Sequence, residues 1–220
     1  MHSRRKIALM VYIDVNGEKG GSMQSTGIIL AGGKSSRMGE NKALLAVNGE
    51  TVIERLVREL QSVTNDILIV TNTPEDYHFL PVKKVSDRYP NKGPLAGIES
   101  GLYHSTNDEN IIVACDMPFV TAETMKWLLN HLEGYSAVIP EVNGQIHPLL
   151  AVYHKRVREI VEKCLEANDL KLQLFLNQLK VKKVTEEDVT RHRLVNFEQS
   201  FFNMNDPSDW RKAIQISSKN

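Results

Sequence analysis

The most informative part of the chain is Thr26-Gly27-Ile28-Ile29-Leu30-Ala31-Gly32-Gly33-Lys34-Ser35-Ser36-Arg37-Met38-Gly39-Glu40-Asn41-Lys42. Its first half, 27–31, is a short continuous apolar run, the pattern of a strand buried on both faces. The run ends in glycines and cations instead of a hairpin turn. The next apolar pattern, at 52–63, has helical spacing, with Val52, Ile53, Leu56, Val57 and Leu60 on one face. A buried strand that runs into a glycine-rich loop and then a helix is the opening of an α/β domain.

Further along, the same alternation continues. Strands are expected at 67–71, more weakly at 82–85, and at 111–115, 137–140 and 149–153. Helices are expected at 94–104, with Pro94 in the first turn, at 121–132, at 155–167, and from Asp206-Pro207 through Trp210. Thr121 is the expected N-cap of its helix, but Thr124 stands where a glutamate would complete a capping box. The order implies a three-layer α/β/α fold with a mostly parallel central sheet, Rossmann-like, with right-handed crossovers.

The bulk properties agree with this and narrow the function. At 220 residues, 26–220 fits one domain, preceded by an extension at 1–25 that Asn16-Gly17 and Gly20-Gly21-Ser22 make flexible. Within the extension, Ile7–Val15 is a candidate strand and Met23 an alternative start. Lys+Arg 27 against Asp+Glu 27 leaves no net charge, so nucleic acid is not the expected partner. Lys83-Lys84 and Lys182-Lys183 read as solvated surface. No apolar run approaches the roughly 20 residues needed to cross a bilayer. Cys115 and Cys164 suit neither a disulfide framework nor a paired metal site, and a cytoplasmic location is expected.

Open parallel sheets bind ligands beyond the carboxyl ends of their strands, which singles out 31–42, 87–97 and 116–119. In the first, Gly32 and Gly33 let the backbone aim N–H groups at phosphate oxygens, while Lys34, Arg37 and Lys42 supply cations. Gly33-Lys34-Ser35 matches the end of a Walker A loop, but that motif needs a glycine where this chain has Ile28. In the second, Asp87 can accept from a base, ribose or ammonium group; otherwise it is a turn residue. Gly97 lets the following helix approach another backbone. In the third, Asp116 before Met117-Pro118 is either a turn aspartate or a Mg²⁺ ligand of the kind that leaves the remaining positions to phosphate and water. Cys115, Met117 and Phe119 read as packing residues. His147 before Pro148 reads as structural or functional. Asn203 and Asn205 alternate along an extended stretch and so can face one ligand.

Residues 30–42 resemble the LAGGxSxRMGxDK signature of the molybdenum cofactor guanylyltransferases. Residues 93–98 resemble that family's GPLAG element and 115–119 its CDxP(F/Y) element, with His147-Pro148 and 203–207 similar to later HP and NxNTPE elements. The resemblance implies that Leu30, Ala31, Gly32 and Gly33 line a GTP pocket, that Lys42 binds its phosphates, and that Asp87 contacts the nucleotide. It implies that Asp116 binds both Mg²⁺ and GTP, and that a molybdopterin substrate lies near His147, Asn203 and Asn205. Two positions depart from the family pattern: Asn41 replaces the usual acidic residue before the lysine, and Asp206 replaces a threonine.

The expected reaction is attack of the molybdopterin phosphate, carrying molybdenum, on the α-phosphorus of GTP. Pyrophosphate leaves, and Lys42, Arg37 and Asp116 are the catalytic residues. The alternatives are a cytidylyltransferase acting on molybdopterin or another phosphorylated acceptor, and a non-catalytic nucleotide or pterin carrier. Transient contact with other molybdenum cofactor proteins is a further expectation.

Overall fold

The computed structural model describes residues 24–32, 41–192 and 194–218. The readings placed on 1–23, and on the loop residues Gly33, Lys34 and Arg37, lie outside the described residues. Ten strands occur there: β1 Ser25–Leu30, β2 Ala46–Val47, β3 Glu50–Thr51, β4 Asp66–Val70, β5 Lys83–Val85, β6 Glu109–Ala114, β7 Ala137–Val142, β8 Gln145–Ile146, β9 Leu150–His154 and β10 Val181–Thr185. The α-helices are α1 Val52–Gln61, α2 Pro94–His104, α3 Ala122–Leu129, α4 Arg158–Glu166, α5 Leu172–Leu176, α6 Glu186–His192 and α7 Pro207–Ser217.

Eight strands form one sheet in the order β10-β7-β9-β6-β1-β4-β5, with β8 added to β7, while β2 and β3 form a separate small hairpin. β1 lies at the centre, parallel to β4 on one side and to β6 on the other. β4 pairs with β5, and β7 with β10, also in parallel. β9 is inserted antiparallel between β6 and β7, and β8 pairs antiparallel with β7. The chain therefore turns back after β7 through Asn143-Gly144, both at positive φ, instead of crossing over.

Successive strand residues point to opposite faces, and each face has its own core. Ile29, Ile69, Ile111, Val113 and Val152 pack against α1, α3, α6 and α7. Ile28, Leu68, Val70, Ile112 and Tyr153 pack against α2, α4 and α5. Three layers result, as the alternation of apolar runs implied.

Two local devices set helix positions. At α1, Thr51 accepts from the Glu54 N–H while the Glu54 carboxylate accepts from the Thr51 N–H, a complete capping box. At α2, Gly101 faces β1: a Cβ there would stand 2.6 Å from Ile28 Cγ2. Gly97 does the same toward the side chain of Leu30, at 3.2 Å, so what it admits is a side chain and not a neighbouring backbone. Gly27 is explained by the opposite face, where a Cβ would meet Leu60 Cδ2 at 2.8 Å. It is a packing glycine inside a strand, which removes the P-loop comparison.

The region after α4 departs from expectation. Here α5, β10 and α6 follow where no element was read. Lys182 and Lys183 lie on the edge strand β10, with Lys183 exposed and bonded to Glu141 at 2.8 Å while Val184 is buried. No helix among the described residues is long and apolar enough to cross a membrane.

Candidate active site

The parallel strands β1, β4, β5 and β6 open their carboxyl ends along one edge of the sheet, and backbone bonds join those ends side by side. The Ala31 N–H donates to the Val70 carbonyl at 2.9 Å, the Thr71 N–H to Val85 at 2.8 Å, and the Cys115 N–H to Leu30 at 3.1 Å. Leu30 is buried, Ala31 half-buried and Gly32 exposed, so the chain emerges from the core at the glycine.

Asp87 stands beside that exit. A Cβ on Gly32 would have Asp87 Oδ2 as its neighbour at 3.8 Å. Asp87 is held by a reciprocal pair with Asn72: Asn72 Nδ2 donates to Asp87 Oδ2, and the Asp87 N–H donates to Asn72 Oδ1, both at 3.1 Å. Burial raises the Asp87 carboxyl above the ordinary range, and the Asn72 amide opposes the rise. The loop that follows is anchored to α2. The Arg88 N–H donates to Ser100 Oγ at 2.8 Å, and the Arg88 guanidinium pairs with the fully buried Glu99, which Arg158 also contacts at 3.4 Å. Gly93, at φ +68°, then turns the chain into Pro94 and α2.

Across the same edge, Lys42 opens a 3-10 turn, Lys42–Leu44, and Asp116 follows β6. Lys42 Nζ lies 3.8 Å from Asp116 Oδ2, with side-chain exposures of 18% and 25%. That separation is long for a hydrogen-bonded pair. Burial raises the Asp116 carboxyl even though the Lys42 charge opposes it. Burial, with the Asp116 charge beside it, pushes the Cys115 thiol up to about 12, so it remains a thiol at neutral pH. This keeps Cys115 with the packing residues.

The C-terminal segment closes the other flank of Asp116. The Met204 N–H donates to the Asp116 carbonyl at 2.8 Å. Met204 is fully buried, while Asn203 is half-buried and Asn205 exposed. Ser200 ties the same segment to the 117–124 region through Thr124 Oγ1 at 3.1 Å and the Phe119 carbonyl at 3.3 Å. The His147 ring packs on Phe201, 4.7 Å between centroids, and burial lowers its basicity so that the imidazole is neutral at pH 7. The Trp210 indole N–H donates to the Ala46 carbonyl at 2.9 Å, so α7 is fastened to the β2–β3 hairpin that follows Lys42.

The fold thus gathers Leu30, Ala31, Gly32, Lys42, Asp87 and Asp116 at adjoining strand ends, and links Asn203, Asn205 and His147 to them through Met204 and Phe201. Gly33 and Arg37 lie outside the described residues. Asn72 was not singled out from the sequence. The polar run Thr71-Asn72-Thr73-Pro74 after an apolar strand was the available signal, since β4 ends on the same edge as its neighbours. Among the described residues no group of three or more His, Cys, Asp or Glu gathers as a metal cluster. Asp116 is a single, partly dry carboxylate beside an open edge. That donor set fits a hard divalent ion completed by phosphate and water oxygens.

Comparison with known proteins bears on the family and the fold. The family described as MobA-like NTP transferase domain matches residues 27–183. A protein of Carboxydothermus hydrogenoformans named probable molybdenum cofactor guanylyltransferase is 40% identical over 190 residues, covering 86% of this chain and 95% of that relative. The crystal structure of molybdopterin-guanine dinucleotide biosynthesis protein A from Archaeoglobus fulgidus superposes with a TM-score of 0.77 at 25% identity, covering 89% of this chain and all of that one. A 4-diphosphocytidyl-2C-methyl-D-erythritol synthase from Anaerococcus prevotii shares the fold, with a TM-score of 0.70 at 16% identity over 90% of this chain and 97% of its own.

Proposed function

We propose, for a chain that belongs to the MobA-like NTP transferase domain family and is a nucleotidyltransferase, that it transfers GMP from GTP to the terminal phosphate of molybdenum-loaded molybdopterin. The observation that carries this reading is the approach of Lys42 to Asp116 at 3.8 Å on an open sheet edge, with Gly32 and Asp87 on one flank and the 203–205 segment on the other.

A phosphate oxygen of the pterin attacks the α-phosphorus of GTP, the bond from that phosphorus to the bridging oxygen breaks, and pyrophosphate leaves. The attacking phosphate is already an anion at neutral pH, so no general base is needed; the neutral His147 is not asked to be one. The work left to the chain is to align two anions and to offset the charge that accumulates between them. Backbone N–H groups from Gly32 onward cradle the triphosphate, Lys42 and Arg37 take the departing pyrophosphate oxygens, and Asp87 meets the nucleoside. Asp116 is the protein ligand for Mg²⁺, which when bound neutralises phosphate oxygens. Asn203 and Asn205, with His147 packed on the neighbouring Phe201, face the pterin. The resemblance in the 30–42, 93–98 and 115–119 motifs and the names of the relatives support GTP and molybdopterin as the substrates.

The test is pyrophosphate release with molybdopterin, Mg²⁺ and each of the four nucleoside triphosphates in turn. GTP-dependent release is expected. Release with CTP instead would assign a cytidylyltransferase, and binding without release would assign a carrier.

A further inference from the structure

Asn41 precedes Lys42, and its side chain acts in two directions. Oδ1 accepts from the Ala43 N–H at 3.2 Å, which caps the 3-10 turn on which Lys42 sits. Nδ2 donates to the Tyr77 hydroxyl at 2.9 Å and to Asp76 Oδ2 at 3.2 Å. Asp76 Oδ2 is itself held by Thr73 Oγ1 at 2.9 Å. Tyr77 is fully buried, and burial pushes its hydroxyl up to about 12, so it is a neutral post at any working pH.

This arrangement selects the amide. Asparagine accepts from a backbone N–H and donates to a carboxylate at the same time; a carboxylate at position 41 caps the turn equally well but cannot donate. It would also set two negative oxygens across the 3.2 Å that a hydrogen bond now spans. An acidic residue at 41 would keep an acceptor for the Tyr77 hydroxyl, which donates to Asn41 Oδ1 at 3.3 Å, but would lose the bond to Asp76 and face it as a like charge; the charge missing at 41 is present on the side chain that Asn41 contacts, at 76.

We propose that Asn41 and Asp76 form a matched pair of positioning residues that hold the turn beginning at Lys42 and so aim its ammonium at the triphosphate. The proposal rests on the reading of Lys42 as a triphosphate ligand. Lysine carries a long, flexible side chain, and a loosened turn adds backbone freedom that must be lost again when the nucleotide binds.

The experiment compares the parent with Asn41→Asp, Asp76→Asn and the exchanged pair Asn41→Asp/Asp76→Asn, reading KM and kcat for GTP, GTP affinity by calorimetry, and Tm. Asn41→Asp should raise KM about tenfold with kcat changed less than about threefold, the pattern of lost phosphate binding. The exchanged pair should return KM to within about threefold of the parent, because the amide now at position 76 can donate to the carboxylate now at position 41. In a Lys42→Met background, Asn41→Asp should add nothing to KM. If Asn41→Asp does not fold, Asp76→Ala at its half-buried position reads the same link, and raised KM with Tm nearly unchanged is the expected result. An indifferent Asn41→Asp or Asp76→Ala, an exchanged pair no better than Asn41→Asp, or an undiminished effect without Lys42 overturns the pairing alone. A parent that binds no triphosphate overturns the functional reading itself, and the pairing with it.

Discussion

Lys42 and Asp116 differ in what they lose when changed. Lys42→Ala removes the one described cation at this edge that lies near Asp116, and its side chain is only 18% exposed. GTP affinity should fall by more than the roughly 1 kcal/mol of a surface ion pair, read as a rise in KM or in the calorimetric Kd. Asp116→Asn keeps the shape and removes the charge. Burial already disfavours that carboxylate, and it stands at a strand end outside both cores, so Tm should stay within about 2 °C of the parent. Turnover should drop by at least about a hundredfold, as for loss of a preorganised charge at the reacting phosphates. Near-normal turnover at saturating Mg²⁺ would remove Asp116 from the metal site. At this scale the sequence is most legible: Leu30, Lys42, Asp87 and Asp116 stand out because each sits where an apolar run breaks into glycine, charge or proline. Asn72 does not, and Asn41 does so only as a departure from the family signature, because what matters about them is their partner, 15 residues away at Asp87 for one and 35 away at Asp76 for the other.

Among the elements, α2 links core to site, since it begins at Gly93 just past the Asp87 loop and lies on β1 through Gly97 and Gly101. Gly101→Ala would put a methyl 2.6 Å from Ile28 Cγ2, and Ile28 is fully buried with no room to yield. A loss of about 1–3 kcal/mol is expected from such overpacking, read as a lowered Tm. KM for GTP should rise with it, because Arg88 and Ser100 tie the Asp87 loop to the same helix. Gly97→Ala meets Leu30 Cδ2 at 3.2 Å, the far end of a flexible side chain, and should cost less. Equal losses at both positions would argue against close helix–strand packing as the cause. The bounds of α2 are readable because Gly-Pro starts it, whereas β10 and α5 are not: Val181-Lys182-Lys183-Val184 has too few apolar positions to signal a strand that is buried on one side only.

For the molecule as a whole, β1 is paired on both sides, with β4 and β6, and the outer strands of the sheet among the described residues are β5 and β10. We propose that 26–220 works as one domain and that deletion of 1–22 leaves Tm within about 2 °C and GTP-dependent pyrophosphate release unchanged. A Tm lowered by several degrees would instead mean that the Ile7–Ile13 run pairs with an outer strand, β5 or β10.

The α/β class, the layer count, the parallel centre and the family resemblance could all be read from the chain alone, because burial on two faces and glycine-rich strand exits leave their mark within a few neighbouring residues. The antiparallel β9, the Met204 bond to Asp116, the Trp210 bond to Ala46 and the Asn41–Asp76 pair could not. Periodicity reports which face a residue turns to the core. Which distant segment meets that face is set by the packing of the whole sheet, and it is those meetings that build the flanks of the site.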